Sequence, residues 1–506
     1  MVDVHVPATM DNSRSAHPDR TYFDLRPIPR TNRFFLAFGA LLLAMVFNIN
    51  SGDGLIYYAA VALAVTVILS ICIIPLRLIA IPVAVLIVLM PDLTQTVDQI
   101  DLVGRLIAAS VWQLQFGPLT PAMLVLIFLL IALLRISLAS TIQLHWVTFF
   151  YFFGAAILLS FLNGYPQESV SRFITDFKIP VFVYTSLLLF DAHFRKFPED
   201  LLRTTQVFMM FLVGALVYQV IIVTAFAPSD IIGRSYVHSS LDSAKGLTLA
   251  VTFFALAKVG KASRIVFWFL ILCVTLSLLI TYQTRWLLVT LFMGLLLVFF
   301  VYPLKKKLIL ALWFIPIFLV GIVTFVFLES EALEIMLRRF SFVQQLGSGV
   351  SFRDIEVVRT ASILNSVQHV WDNNALLTGM GYGSWYDDDF VPMPNLTTAA
   401  FDQESLSLRR FYRVHDFGFH FLFKFGVLGL LIYLSLFLRP LRGLWSVRRA
   451  AMRNDGGAEL FVVLFGIAPT VITYMWFTGK GNLFCGFYIA LCSAWLSRIN
   501  KTKAIS

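Results

Sequence analysis

The sequence predicts an all-α polytopic integral membrane protein: about 14 transmembrane helices and one large, partly helical outer loop. Three observations carry this expectation. Hydrophobic residues make up 59% of the 506-residue chain while charged residues make up only 13%, against roughly 25% charged in soluble proteins. Apolar runs of about 20 residues, enough to cross a bilayer, recur along almost the whole length. Basic residues then fall between those runs in short clusters, such as Lys305-Lys306-Lys307 and the group from Arg439 to Arg453.

The elements follow in order. Residues 1–33 are polar, rich in Pro and Arg, and too long and mixed for the positive region of a signal peptide, so they read as a cytoplasmic tail. A membrane domain over 34–328 holds helices expected at 34–50, 55–74, 76–90, 119–138, 145–162, 179–192, 204–227, 244–258, 264–280, 286–302 and 308–328. The weaker segment 102–116 carries Arg105 and Gln113 and is expected to lie along the membrane surface. A polar loop over 329–414 follows, then a second membrane part over 415–497 with helices at 415–438, 459–477 and 483–497, and a short tail over 498–506.

Charge orients the chain. With the N-terminus in the cytoplasm, an even number of helices brings both termini to that side. Of the 39 Lys and Arg residues, 24 then fall inside, the sign expected from the positive-inside rule. The same scattering between apolar runs argues against nucleic acid as the partner, despite a net charge of +10. Cys72, Cys273, Cys485 and Cys492 lie within apolar runs without metal-ligand spacing and read as small core residues. The 329–414 loop is placed outside by this topology and holds eleven Asp or Glu residues. A loop of that length is usually functional. No internal repeat marks inverted transporter halves.

Candidate chemistry gathers on the outer side. Arg285 opens a helix in Thr281-Tyr-Gln-Thr-Arg285-Trp, either as a residue reaching for the headgroups or as an anion-binding group facing the bundle. Arginine suits diphosphates because its planar fork donates two parallel hydrogen bonds. In the stretch from Ser351 to Arg359, Arg353 has Glu356 three residues on, whereas Arg359 has no acidic residue four positions away. Arg338 follows Glu334 by four, a favourable helix pair. The run Gly379-Met-Gly381-Tyr-Gly383 gives a backbone able to turn sharply and approach a neighbour closely, without the strand a dinucleotide fingerprint needs. His415, in Arg413-Val-His415-Asp416-Phe-Gly418-Phe-His420, lies where the loop re-enters the membrane. A neutral imidazole there is able to take a proton from a hydroxyl near pH 7. Asp387-Asp388-Asp389 lacks a histidine or spaced carboxylate and reads as a solvated acidic turn rather than a metal site.

These motifs, in this order, resemble the superfamily of O-antigen ligases and Wzy-type O-antigen and exopolysaccharide polymerases. The likeness rests on Arg285, Arg359, Leu376-Leu377-Thr378-Gly379-Met-Gly381-Tyr-Gly383, His415-Asp416 and Gly426-Val-Leu-Gly429, and covers about residues 280–435. The chain departs from the family at Asp416, where Asn is usual, at Lys424, where an acidic residue is common, and over Arg234 to Lys245, which lacks an Asn-rich turn. The resemblance implies a GT-C-like membrane glycosyltransferase at the periplasmic face of a bacterial inner membrane. It implies a glycan on undecaprenyl diphosphate as donor, membrane lipid as surroundings, no cofactor and no metal. Arg285, Arg359 and Arg353 would neutralise the diphosphate, and His415 would be the general base. A chain-length regulator and a flippase of the same pathway are the implied partners. Polymerase, ligase to lipid A-core and, from another class, a lipid-linked oligosaccharide transporter remain open on sequence grounds.

Overall fold

In the computed structural model the described residues are 73–89, 121–138, 145–226, 242–259, 265–281, 285–302, 357–393, 403–414, 416–448, 455–473 and 479–503, with isolated positions at 62, 66 and 69. Over these residues the protein is helical, and its one β-type pairing is an isolated bridge between Tyr386 and Phe411. The first helices are α1 (Ala80–Leu89), α2 (Pro121–Ser137), α3 (Trp146–Leu162), α4 (Val170–Lys196), α5 (Asp200–Phe226), α6 (Asp242–Val259), α7 (Ile265–Thr281) and α8 (Arg285–Val301). The loop contributes α9 (Val357–Asp372) and the short α10 (Gln403–Leu408), followed by α11 (Phe417–Ser446), α12 (Asp455–Thr473) and α13 (Gly479–Lys503). Every helix expected from residue 119 onward that falls on described residues has a counterpart here. The helices expected at 34–50 and 308–328, the surface segment 102–116, and most of 55–74 lie outside the described residues.

By length and composition, α4 and α11 are long and apolar enough to cross a membrane. Both exceed the apolar run that announced them. Helix α4 begins nine residues before the expected 179, because Ser169 caps it by accepting the Arg172 N–H at 3.4 Å. Its first three turns carry Arg172, Asp176 and Lys178, which hydropathy alone excludes. Helix α11 runs on through Arg439, Pro440 and Arg442.

Small residues let the helices approach closely, as packing inside a membrane requires. A Cβ on Gly486 of α13 would strike the Val183 carbonyl of α4, and Ser186 donates to the Leu483 carbonyl at 2.6 Å. Gly294 of α8 and Gly466 of α12 meet over the Phe253 ring of α6. Around these contacts lies one apolar core shared by these helices, while Val370, Met380, Tyr386, Phe411 and Phe423 form a second, smaller core beneath the loop.

Two irregularities face each other across the first core. Helix α3 contains a π-helical turn at Tyr151–Ala155, a deformation often found at functional sites. Helix α11 is broken at Gly426, whose φ of 65° and ψ of −175° are not helical. Both breaks free backbone groups, which must find partners if they are buried.

Candidate functional site

The partners come from the glycine-rich turn. Beyond α9 the chain drops into the break of α11 and pairs with both sides of it. Val427 and Leu428 donate to the carbonyls of Leu376 and Leu377 at 2.9 and 3.1 Å, and Met380 donates to the Phe423 carbonyl at 2.9 Å. Gly381 donates to the Lys424 carbonyl at 2.8 Å. Tyr151, in the π turn, gives its hydroxyl to the Phe425 carbonyl and lies 3.1 Å from the Thr378 carbonyl. The Tyr382 hydroxyl in turn donates to the Phe152 carbonyl at 2.9 Å.

The next two amides of the turn are also engaged. Tyr382 N–H donates to the Ser160 hydroxyl at 2.6 Å, and Gly383 N–H to the Asp176 carboxylate at 2.9 Å. Four successive N–H groups, from Met380 to Gly383, therefore point into protein. The turn approaches closely, as its glycines predict, but what it approaches is α11, α3 and α4. Gly379 and Gly426 show why glycine is needed: both have positive φ, and a Cβ on either would overlap backbone atoms of the other segment. Gly381 and Gly383, also at positive φ, rest on Ser160 and Phe173. Tyr382 is fully buried between Phe173, Phe177 and Phe425, with ring centroids 6.0, 5.6 and 5.3 Å away. Edge-on aromatic contacts of this kind contribute about 0.5–1.5 kcal/mol each.

Lys424 stands at the centre. Its ammonium is 2.7 Å from the Asp176 carboxylate and donates to the Ser384 carbonyl at 2.7 Å, with 1% of its side chain exposed. Burial of a charge is tolerated only with such pairing. The unusual Lys424 thus has its acid on another helix, at Asp176, and that one carboxylate joins α4, α11 and the turn.

Around this centre is a rim of aromatic and charged side chains. Glu168 accepts from the Trp385 indole at 2.7 Å and from Arg410 at 3.2 Å, and the Arg410 guanidinium lies 4.1 Å above the Trp385 ring. Arg172 stacks over Tyr412 at 4.5 Å. His369 of α9 packs against Trp385 and Phe423. Burial pushes its pKa below the ordinary histidine value, while Asp387 and Asp372 pull in the opposite direction.

The residues singled out in the sequence fall as follows. Gly379, Gly381 and Gly383 form the seated turn. Arg359 lies exposed in the first turn of α9. Arg285 is the first residue of α8, and its side chain, like all of Arg353, Arg338 and His415, lies outside the described residues. Asp416 caps α11 by accepting the Phe419 N–H at 3.2 Å, a task Asn performs equally well. That gives a physical reason why Asp is tolerated at this position. His420 is buried, its Nδ1 3.4 Å from the Val414 N–H. The acidic run is not solvated throughout: Asp388 is buried, bound by Arg409 at 2.7 Å and by the Met393 N–H at 3.1 Å. The sequence reading missed this because Arg409 lies 21 residues away. Among the described residues, no group of His, Cys, Asp or Glu is arranged to hold a metal ion.

Sequence reasoning overlooked Asp176, Glu168, Arg172, Trp385 and Arg410. The one signal available was a charged residue within an apolar run, at Lys424, which marks a functional or paired site by default. No protein-family model and no curated protein matches the chain.

Proposed function

We propose that this protein is a membrane glycosyltransferase that joins undecaprenyl-diphosphate-linked oligosaccharide units at the outer face of a bacterial inner membrane, as a polysaccharide polymerase. One observation carries most of the reading. The Leu376–Gly383 run and the Gly426–Gly429 segment, distant in sequence and both part of the family likeness, are hydrogen-bonded to each other, Val427 N–H to the Leu376 carbonyl and Leu428 N–H to the Leu377 carbonyl. Their junction lies beside a rim bearing Arg172, Arg410, Trp385 and Tyr412. Aromatic faces suit sugar rings, and guanidinium forks suit a diphosphate leaving group.

In this mechanism the acceptor hydroxyl attacks the anomeric carbon of the donor, and the bond to the diphosphate breaks with its electron pair. Arg285 and Arg359 offset the charge that develops on the leaving group, which is the main catalytic contribution. His415 takes the hydroxyl proton. Both termini are cytoplasmic and 329–414 is outside.

The test is turnover of an undecaprenyl-diphosphate-linked oligosaccharide by the purified protein in bilayer vesicles. Longer glycan and free undecaprenyl diphosphate are expected, in EDTA as without it. Arg359→Ala and Arg285→Ala should reduce the rate by two orders of magnitude or more, on the order of one removed oxyanion-stabilising donor. Lysine should rescue poorly, because a point charge does not reproduce the fork. Transfer only to a lipid A-core acceptor would make the protein a ligase. Movement of the lipid-linked glycan across the bilayer with no new glycosidic bond would overturn the enzyme reading.

A further inference from the structure

The loop between α9 and the glycine turn carries an apolar surface that the site does not use. Leu364 and Trp371 lie seven residues apart, on one face of α9, and both are exposed. Leu376 and Leu377 continue that exposed surface beyond the helix, with Trp371 and Leu377 each 67% accessible. Four large apolar side chains in one segment would be costly in water.

Their depth says what covers them. From Phe417 to Leu438, the last residue before Arg439, α11 spans about 33 Å at 1.5 Å per residue, close to a bilayer core of about 30 Å. Its break at Gly426 and the charge of Lys424 are both buried inside the protein. Leu428 falls near its middle, and the Leu377 carbonyl is hydrogen-bonded to Leu428 N–H. Leu376 is bonded in the same way to Val427. The exposed face of α11 at this level is Leu428 and Leu431, so the exposed side of Leu376–Leu377 continues a surface of α11 that itself faces lipid. Irregular backbone at such depth is tolerated only when its polar groups are bonded within the protein. Four groups of the segment meet that requirement: the Leu376 and Leu377 carbonyls, Ala375 N–H to the Val370 carbonyl, and Gly379 N–H to the Ala375 carbonyl. Trp371, next to the exposed Asp372, Asn373 and Asn374, is placed as in the aromatic belt at the headgroup level.

We propose that the segment from Leu364 to Gly381 is a re-entrant membrane element: α9 lies at the outer headgroup boundary, and Leu376–Leu377 insert among the acyl chains of the outer leaflet. This rests on the membrane reading of α11 but not on glycosyl transfer. The loop is then held to the bilayer as well as to the protein.

Site-directed spin labelling of the full chain in phosphatidylcholine vesicles tests it, with Cys72 and Cys273 replaced by serine and the buried Cys485 and Cys492 left in place. Labels go at Leu377→Cys, at Leu431→Cys as the lipid-facing control and at Asp389→Cys as the aqueous control. Leu377 should show the high oxygen and low nickel-chelate accessibility of Leu431. A reading like that of Asp389 overturns the proposal, as does shielding from both agents, which would mean a protein partner covers the patch. If Leu431 itself reads as aqueous, the membrane assignment of α11 fails first. As a check free of substitutions, the unmodified protein in vesicles with a diazirine-bearing phospholipid should yield adducts within residues 364–377. Adducts confined to the spanning helices would count against insertion.

Discussion

Removing the ammonium at the centre of the site, by Lys424→Met, is the sharpest available perturbation. Methionine keeps the length and apolar stem of lysine but deletes two contacts of the Nζ, at 2.7 Å to the Asp176 carboxylate and 2.7 Å to the Ser384 carbonyl. Breaking a buried ion pair from one side costs about 3–5 kcal/mol, because the remaining charge is left uncompensated. Asp176 keeps 18% of its side chain exposed and still accepts from Gly383, which places the expected cost near the lower end, about 3 kcal/mol. The loss falls on docking of the turn, so its opening equilibrium should rise by about 10²-fold, at 1.4 kcal/mol per tenfold. Hydrogen exchange by mass spectrometry in nanodiscs reads this directly, since the amides of Met380 and Gly381 are protected by the Phe423 and Lys424 carbonyls. Exchange in the peptide over 380–384 should accelerate about 100-fold while peptides of α13 stay unchanged. Adding Asp176→Asn removes the orphaned charge and keeps an oxygen for Gly383, so the double variant should recover about 1–2 kcal/mol relative to Lys424→Met. Unchanged exchange in Lys424→Met, or a double variant that is worse than the single one, would refute the clamp.

Two further outcomes follow from the same geometry. Gly379→Ala should cost about 2–4 kcal/mol, combining a left-handed φ with overlap against the backbone of Phe425. Gly383→Ala, whose nearest neighbour would be Phe173 Cα at 3.2 Å, should cost about 1 kcal/mol, and Gly154→Ala, with nothing within 4 Å, should be near neutral; thermal unfolding in detergent that fails to rank them this way would contradict the seating of the turn. His369 has a pKa lowered first by burial, so the folded loop prefers the neutral ring. Its contribution is complete above the ordinary value near 6.5 and is lost as pH falls from there toward the lowered folded value. Protection factors over 357–372, corrected for the slower intrinsic exchange in acid, should therefore fall between pH 7.5 and 5.5, and His369→Phe should flatten that dependence; an unchanged profile in the variant would assign it to another group.

The sequence by itself determined the helices and little of their company. Apolar run length is a local quantity, so α2, α3, α5, α6, α7 and α8 were legible within a few residues of their ends. The early turns of α4 were not, because a cap at Ser169 and charges at Arg172 and Asp176 look like a loop to a hydropathy rule. The glycine turn was legible as a place of close approach, and Lys424 as a charge out of place. Only the tertiary structure decided what each approaches. Asp176 and Lys424 are 248 residues apart, and Tyr151 reaches the Phe425 carbonyl across 274. A one-dimensional pattern records that a backbone break or a buried charge needs a partner, because the cost of leaving it unpaired is local. It does not record which distant residue supplies that partner, because the choice is made by how the helices pack.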